Sequence, residues 1–166
     1  MPHHRLIALL LTAGLASAQA VSPVRLSLMV SLVERVTVDG KATEVLKANP
    51  GNVLPGSELS QVVTVRNTAA KTLLNVPVTL PLPKSTVYLA PEPGVSAVAA
   101  HTEFSANGGK TFAPAPLKKK VTVTENGKAV QKDVEVRPSE YTSVRWVISE
   151  LRINEPLKLG YRVQVR

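Results

Sequence analysis

The chain has 166 residues and a formal net charge of +8, from 20 Lys and Arg against 12 Asp and Glu, and it contains no cysteine. This length suffices for one domain with a sizeable core, and the lack of cysteine excludes disulfides and cysteine nucleophiles. The basic charge favours anionic partners, while a charged surface that only maintains solubility explains the same excess.

Residues 1–20 have the pattern of a secretory signal peptide. A short basic start precedes an apolar run from Leu6 to Ala16, and the small residues Ala18 and Ala20 stand where signal peptidase reads the chain. The run is too short for a hydrocarbon core that needs about 20 residues. We therefore predict cleavage after Ala20 and a mature chain, with no transmembrane segment, that is secreted, periplasmic or attached to the cell envelope.

Residues 21–166 are predicted to form one all-β domain. Apolar residues alternate with other residues from Val24 to Leu32, which is typical of a strand with one apolar face. Asp39-Gly40 and Asn126-Gly127 match two-residue hairpin turns. Further strands are predicted at 35–38, 41–47, 59–66, 73–80, 86–89, 101–105, 111–112, 121–124, 129–136, 141–148 and 161–165, with one helical turn at 149–152. Pro77 predicts an edge strand or a bulge. About ten short strands separated by turn signals are typical of a sandwich or barrel.

Several short motifs occur in a recognisable order. They are the Pro55-Gly56 turn, a strand ending at Asn67-Thr68, a strand closing on Leu80-Pro81, the segment FSANGGKTF at 104–112 and the segment YTSVRW at 141–146. This order resembles the bacterial secreted "conserved repeat domain" family of immunoglobulin-like cell-surface domains. Val78 and Ala69 depart from the family, which has an acidic residue and a glycine there.

The resemblance implies a fold and a setting. The fold is an immunoglobulin-like antiparallel β-sandwich, to which residues 24–47 add an extra N-terminal hairpin. The setting is the cell surface or envelope. The resemblance implies no enzyme activity and supplies no catalytic residues.

The mature sequence offers few parts for catalysis. His101 is its one histidine, and no Gly-x-Ser-x-Gly motif is present, so a Ser-His-acid arrangement lacks its components. Zinc or copper would need several His or Cys ligands, and calcium would need clustered acidic residues. Ten Glu residues leave a glycosidase carboxylate pair open, although nothing in the sequence groups them. We predict a protein without cofactor, metal or enzymatic activity.

A lysine run and the single tryptophan are the remaining candidate functional features. Lys118, Lys119 and Lys120 form the densest charge and are a candidate contact for a polyanion, whereas lysines on a strand edge also prevent edge-to-edge aggregation. Trp146 shares its spacing with Val144 and Ile148, which predicts that it fills the core between the sheets.

The sequence thus predicts a non-catalytic structural or binding domain of the envelope. Its expected partner is an envelope protein or an anionic envelope polymer, and nucleic acid is not expected. Three alternatives stay open: an exported enzyme or inhibitor acting on envelope glycans, a small-ligand carrier if the strands close into a barrel, and a domain stiffened by an intramolecular Lys–Asn cross-link. The sequence does not determine the oligomeric state.

Overall fold

The computed structural model of this chain describes residues 22–95 and 100–166, and the predicted signal peptide lies outside them. Ten strands follow one another in these residues: β1 (Val24–Val38), β2 (Lys41–Ala48), β3 (Glu58–Asn67), β4 (Leu73–Pro81), β5 (Thr86–Pro91), β6 (Ala100–Ser105), β7 (Lys118–Glu125), β8 (Lys128–Glu135), β9 (Ser143–Leu151) and β10 (Pro156–Val165). A 3-10 helix, Pro138–Glu140, precedes β9. The described part of the chain includes no helix with the length and apolarity needed to cross a bilayer.

The strands form two packed sheets and a separate ribbon. The larger sheet has the order β2-β1-β3-β10-β5, the smaller has the order β4-β9-β6, and β7 pairs only with β8. All strand pairs are antiparallel. The two sheets do not close on each other, so the predicted all-β sandwich is confirmed, and the condition for a barrel-shaped carrier is not met. The extra N-terminal hairpin, β1–β2, belongs to the larger sheet through β3.

Local sequence rules explain most of these strands. The two predicted hairpin turns are present, with positive φ at Asp39 (49°), Gly40 (75°), Asn126 (51°) and Gly127 (75°), the conformation that a type I′ turn requires. Pro77 lies on β4, which is an edge strand of the smaller sheet. Proline cannot donate to a ladder, and an edge strand tolerates that loss.

Two local predictions are wrong. The helical turn expected at 149–152 is replaced by strand, because β9 continues to Leu151 and pairs there with Leu73. Tertiary pairing has overridden helix propensity. The strand expected at 111–112 is reduced to a single bridge between Phe104 and Ala113.

The core between the sheets contains most of the aromatic side chains. Tyr161 is fully buried, Trp146 is 5% exposed, and their rings stack. Tyr88 packs its edge against Phe104 and also contacts Tyr141. Burial raises the pKa of Tyr88 to about 12, because a phenolate would lose hydration there. These rings and the surrounding aliphatic residues fill the interior.

Asn67 joins the two sheets at one end of the sandwich. Its side-chain amide donates to the carbonyls of Lys71 (2.8 Å) and Leu151 (3.0 Å), and its oxygen accepts from the backbone of Ala69 (2.9 Å). The side chain is 1% exposed, so all three hydrogen bonds are protected from water.

We call the opposite end, where β3, β5 and β9 begin and β4, β6 and β10 finish, the hairpin end. Two hairpins extend from it. Pairing of β1 with β3 stops at Val33, opposite Glu58, so residues 34–45 are paired only within the β1–β2 hairpin. The β7–β8 ribbon, which we call the arm, starts from the same end, because Leu117 and Val136 at its base lie in the core with Tyr141. Thus the fold brings two separate hairpins to one end of the sandwich.

Candidate functional site

A shallow cleft lies at the hairpin end. It has a volume of about 440 Å³ and is lined by the turn 81–84, Thr86, Gly108, the segment 139–143 and Arg166. The guanidinium of Arg166 donates to the carbonyl of Ser139 at 2.6 Å, which ties the last strand to the 3-10 helix. The cleft, the distal part of β1–β2 and the arm all lie at the hairpin end, which is the candidate binding surface.

A charged cluster fixes the base of the β1–β2 hairpin. The guanidinium of Arg162 on β10 lies 2.8 Å from Glu44, 3.0 Å from Glu58 and 3.2 Å from Glu92. Arg35 adds a second cation, 3.1 Å from Glu58 and 3.5 Å from Glu44. The side chains of Arg162 and Glu92 are 9% and 4% exposed. We call these five residues the Arg162 cluster.

The charges of the Arg162 cluster alter the pKa values of Glu44 and Arg162. The hydrogen bond from Arg162 holds the pKa of Glu44 below its ordinary value, and the surrounding carboxylates raise the pKa of Arg162 further. Gly160 allows Glu92 to reach the sheet, because a Cβ at that position would lie 2.8 Å from the Gln61 carbonyl oxygen and 3.0 Å from Glu92 Cβ. The cluster therefore connects β2, β3 and β10 to the residue that follows β5.

The arm is an amphipathic ribbon. Residues facing each other across an antiparallel pair share a face, and the register places four valines together: Val121, Val123, Val130 and Val134. The same face carries Lys119, Glu125, Lys128 and Lys132. Val130 and Val134 are 38% and 42% exposed. The opposite face is polar, so the arm presents an uncovered apolar stripe bordered by charges.

The structure places the three lysines of the candidate polyanion contact at the base of the arm. Lys118 lies across the ladder from Glu135, and Lys120 lies across from Asp133. Lys119 forms an ion pair with Glu140, which lowers the pKa of that carboxyl. Lys119 is thus ion-paired, whereas Lys118 and Lys120 have acidic residues opposite them in the ladder and form no ion pair among the described residues.

A second cleft lies between the end of β9 and the start of β10. It has a volume of about 310 Å³ and contains two carboxylates, Glu150 and Glu155. Arg152 donates to Glu150 at 3.0 Å, and both side chains of that pair are at least half exposed. This grouping could not be predicted from the sequence, since it depends on the turn that joins the two strands.

The other sequence-selected residues lie apart from the hairpin end or inside the core. His101 is exposed on β6 with its Nε2 3.5 Å from Glu103, and the Glu103 carboxylate is held at 2.7 Å by Arg145. Trp146 is internal. Within the described residues no group of three or more His, Asp or Glu is arranged to bind a metal ion.

Sequence reasoning missed the Arg162 cluster and the amphipathic character of the arm. The arm had a readable signal, because valines alternate with threonines at 121–124, and lysines and valines occupy every second position at 128–134. The cluster had none, since its members are far apart in the chain.

Comparison of the chain with protein-family models, with curated proteins and with solved structures finds no match. Its function must therefore be inferred from its own residues.

Proposed function

We propose that this chain is an exported, non-catalytic binding domain of the bacterial cell envelope and that it binds its partner through the hairpin end. The observation that carries the proposal is the extension of two hairpins from the same end of the sandwich, next to a cleft of about 440 Å³. Loops and hairpins grouped at one end of a rigid sandwich are a common way to build a binding surface.

The proposed export and envelope location rest on other observations. Residues 1–20 have the pattern of a signal peptide, and a cysteine-free core suits an oxidising compartment because it has no thiol to oxidise. The resemblance to secreted immunoglobulin-like domains supports the envelope. The acidic residues beside the lysines at the base of the arm favour an envelope protein over an anionic polymer as the partner.

Site-specific photo-cross-linking on native cells tests the proposal. A photoreactive amino acid would replace Lys41 or Lys84 at the hairpin end, and Lys71 or Lys158 towards the opposite end as matched exposed controls. We expect adducts with an envelope component from the first pair only. Adducts only from the controls, or recovery of the protein only as a free species in the medium, would overturn the proposal.

The enzyme alternative has one structural observation in its favour, the cleft with Glu150 and Glu155. A glycosidase needs two carboxyl groups free to contact the scissile bond from either side, whereas Glu150 accepts a hydrogen bond from Arg152 at 3.0 Å. We therefore expect no hydrolysis of envelope glycans by the mature chain. Hydrolysis that disappears in a Glu150→Gln, Glu155→Gln double variant would establish the enzyme instead.

A further inference from the structure

The outer edge of β7 is unpaired in the part of the chain that the structure describes. The turn closes between Glu125 and Lys128, and in a two-residue hairpin these flanking residues exchange backbone hydrogen bonds. Because hydrogen-bonded and non-hydrogen-bonded pairs alternate, the backbone groups of Lys118, Lys120, Thr122 and Thr124 point away from β8. The edge therefore offers a regular row of donors and acceptors.

This edge is complementary to itself. If two copies of β7 pair antiparallel about Thr122, each Val121 lies opposite Val123 of the second copy, and each Lys119 lies opposite Glu125 of the second copy. Thr122 then pairs with Thr122 of the second copy, and Thr124 of each copy pairs with Lys120 of the other. These three hydrogen-bonded pairs give about six backbone hydrogen bonds, two for each pair. Opposite charges and β-branched residues facing each other stabilise a sheet.

The outer edge of β8 lacks this property. Aligning its valines, with Val130 opposite Val134 of a second copy, places Lys132 opposite Lys132, and like charges directly opposite each other are destabilising. Self-pairing that aligns the valines is therefore favourable at β7 and unfavourable at β8.

Stacking of the β7 edge on the β8 edge of another copy is excluded by size. In such a stack each copy contributes two strands, so neighbouring copies lie about 10 Å apart at the usual strand spacing. All sandwiches would then lie on the same side of the stack, and the five-stranded sheet alone is about 19 Å wide. In the two-fold arrangement the copies run in opposite directions, so the two sandwiches lie at opposite ends of the ribbon. This arrangement is closed, as in most homodimers.

We propose that the partner of the β7 edge is a second copy of this chain, giving a two-fold dimer with the strand order β8-β7-β7-β8. A two-stranded ribbon is marginal by itself, whereas four strands with an apolar face are stable, and neither strand of the arm packs broadly against another described element. The dimer places the valines of both copies on one face. It goes beyond the proposed function, because it concerns only the β7 edge of the arm, and binding at the cleft or the β1–β2 hairpin does not require a dimer.

Single-cysteine cross-linking of the mature chain tests the dimer, and the absence of native cysteine makes its result unambiguous. Thr122→Cys lies on the two-fold axis, where a hydrogen-bonded pair has Cα atoms about 5.5 Å apart, within disulfide range. Gln131→Cys is the matched control, since the two copies of this position are three strands apart, about 14 Å. We expect most of the Thr122→Cys protein to form disulfide dimers on oxidation and the Gln131→Cys protein to stay monomeric. Equal cross-linking of the two variants, or none in either, would overturn the proposal.

Sedimentation of the cysteine-free chain adds a second test. Thr122→Pro removes a donor from the dimer edge without touching the β7–β8 ladder, whereas Gln131→Pro removes the equivalent donor from the edge of β8. We expect at least a tenfold rise in the dimer dissociation constant for the first variant only, with unchanged Trp146 fluorescence as evidence of an intact sandwich. A wild-type chain that stays monomeric up to millimolar concentration, or a dimer insensitive to Thr122→Pro, would contradict the proposal.

Discussion

The indole of Trp146 on the smaller sheet lies nearly parallel to the phenol ring of Tyr161 on the larger sheet, with ring centroids 5.9 Å apart and planes inclined by 17°. The Tyr161 hydroxyl lies 2.9 Å from the Gln61 side-chain oxygen and 3.1 Å from the carbonyl oxygen of Pro81. The two rings therefore join the sheets by packing, while the Tyr161 hydroxyl stays hydrogen-bonded.

Trp146→Ala should lower the free energy of unfolding by about 3–5 kcal/mol, since it removes a large buried side chain and leaves a cavity between the sheets. Urea denaturation followed by circular dichroism measures the change. Trp146→Phe, which retains an aromatic ring, should cost clearly less. An unchanged midpoint in the alanine variant would mean that the indole does not contribute to the core.

Arg162→Ala should be nearly as destabilising, although the residue is on the outer side of its sheet. The substitution leaves the carboxylate of Glu92 buried without its cation, and removing one partner of a buried ion pair costs about 3–5 kcal/mol. Arg152→Ala is the matched control, because Arg152 pairs with Glu150 in solvent. We expect its denaturation midpoint to stay close to that of the wild type. Equal effects of the two variants would argue against a buried cluster.

The stability should decline in acid. The pKa of Glu44 is lowered by Arg162 and that of Glu140 by Lys119, so the unfolded chain takes up these protons at higher pH than the folded chain does. The stabilisation is complete above the ordinary carboxyl value of 4.5 and is lost as the pH falls through the folded-state value. Thermal melts between neutral pH and pH 3 measure this loss. Glu44→Gln should make the dependence shallower, and an unchanged pH profile in that variant would refute the assignment.

Replacing Lys118, Lys119 and Lys120 by Ser should leave both folding and retention on an anionic polymer close to those of a charge-matched control. The control is Lys41→Ser, Lys71→Ser, Lys84→Ser, which removes three exposed lysines elsewhere. Both variants lose three positive charges, and the acidic residues beside the arm lysines already weaken their attraction for an anion, so the arm variant should lose no more retention than the control. Retention at low salt that falls only in the arm variant would instead establish a polyanion site.

The strand pattern was predictable because each strand carries its own signal. Alternation from Val24 and the turns at Asp39-Gly40 and Asn126-Gly127 depend on neighbouring residues only. The segment 149–152 was mispredicted, since its residues favour a helix locally and only the distant partner Leu73 makes it a strand. The assignment of strands to two sheets and a ribbon likewise depends on contacts remote in sequence.

The candidate binding surface was less predictable than the fold. Lys118 to Lys120 are a charge run in the sequence, but the acidic residues beside them are identified only by the ladder register and by the ion pair with Glu140. Arg162 could not be singled out, because alternation with the buried Tyr161 marks it as a solvent-facing residue.

The Arg162 cluster gives the larger sheet a small second interior on its outer side. Ser31 and Ser60, in line with Arg162 across the strands, are 5% and 1% exposed, and Gly160 is buried against Glu92. In a library of random substitutions on the outer face of this sheet, substitutions at these positions should consequently prevent folding as often as substitutions in the hydrophobic core. The outer-face positions at the Arg162 cluster should thus tolerate few substitutions, although the alternation of their strands marks them as solvent-facing.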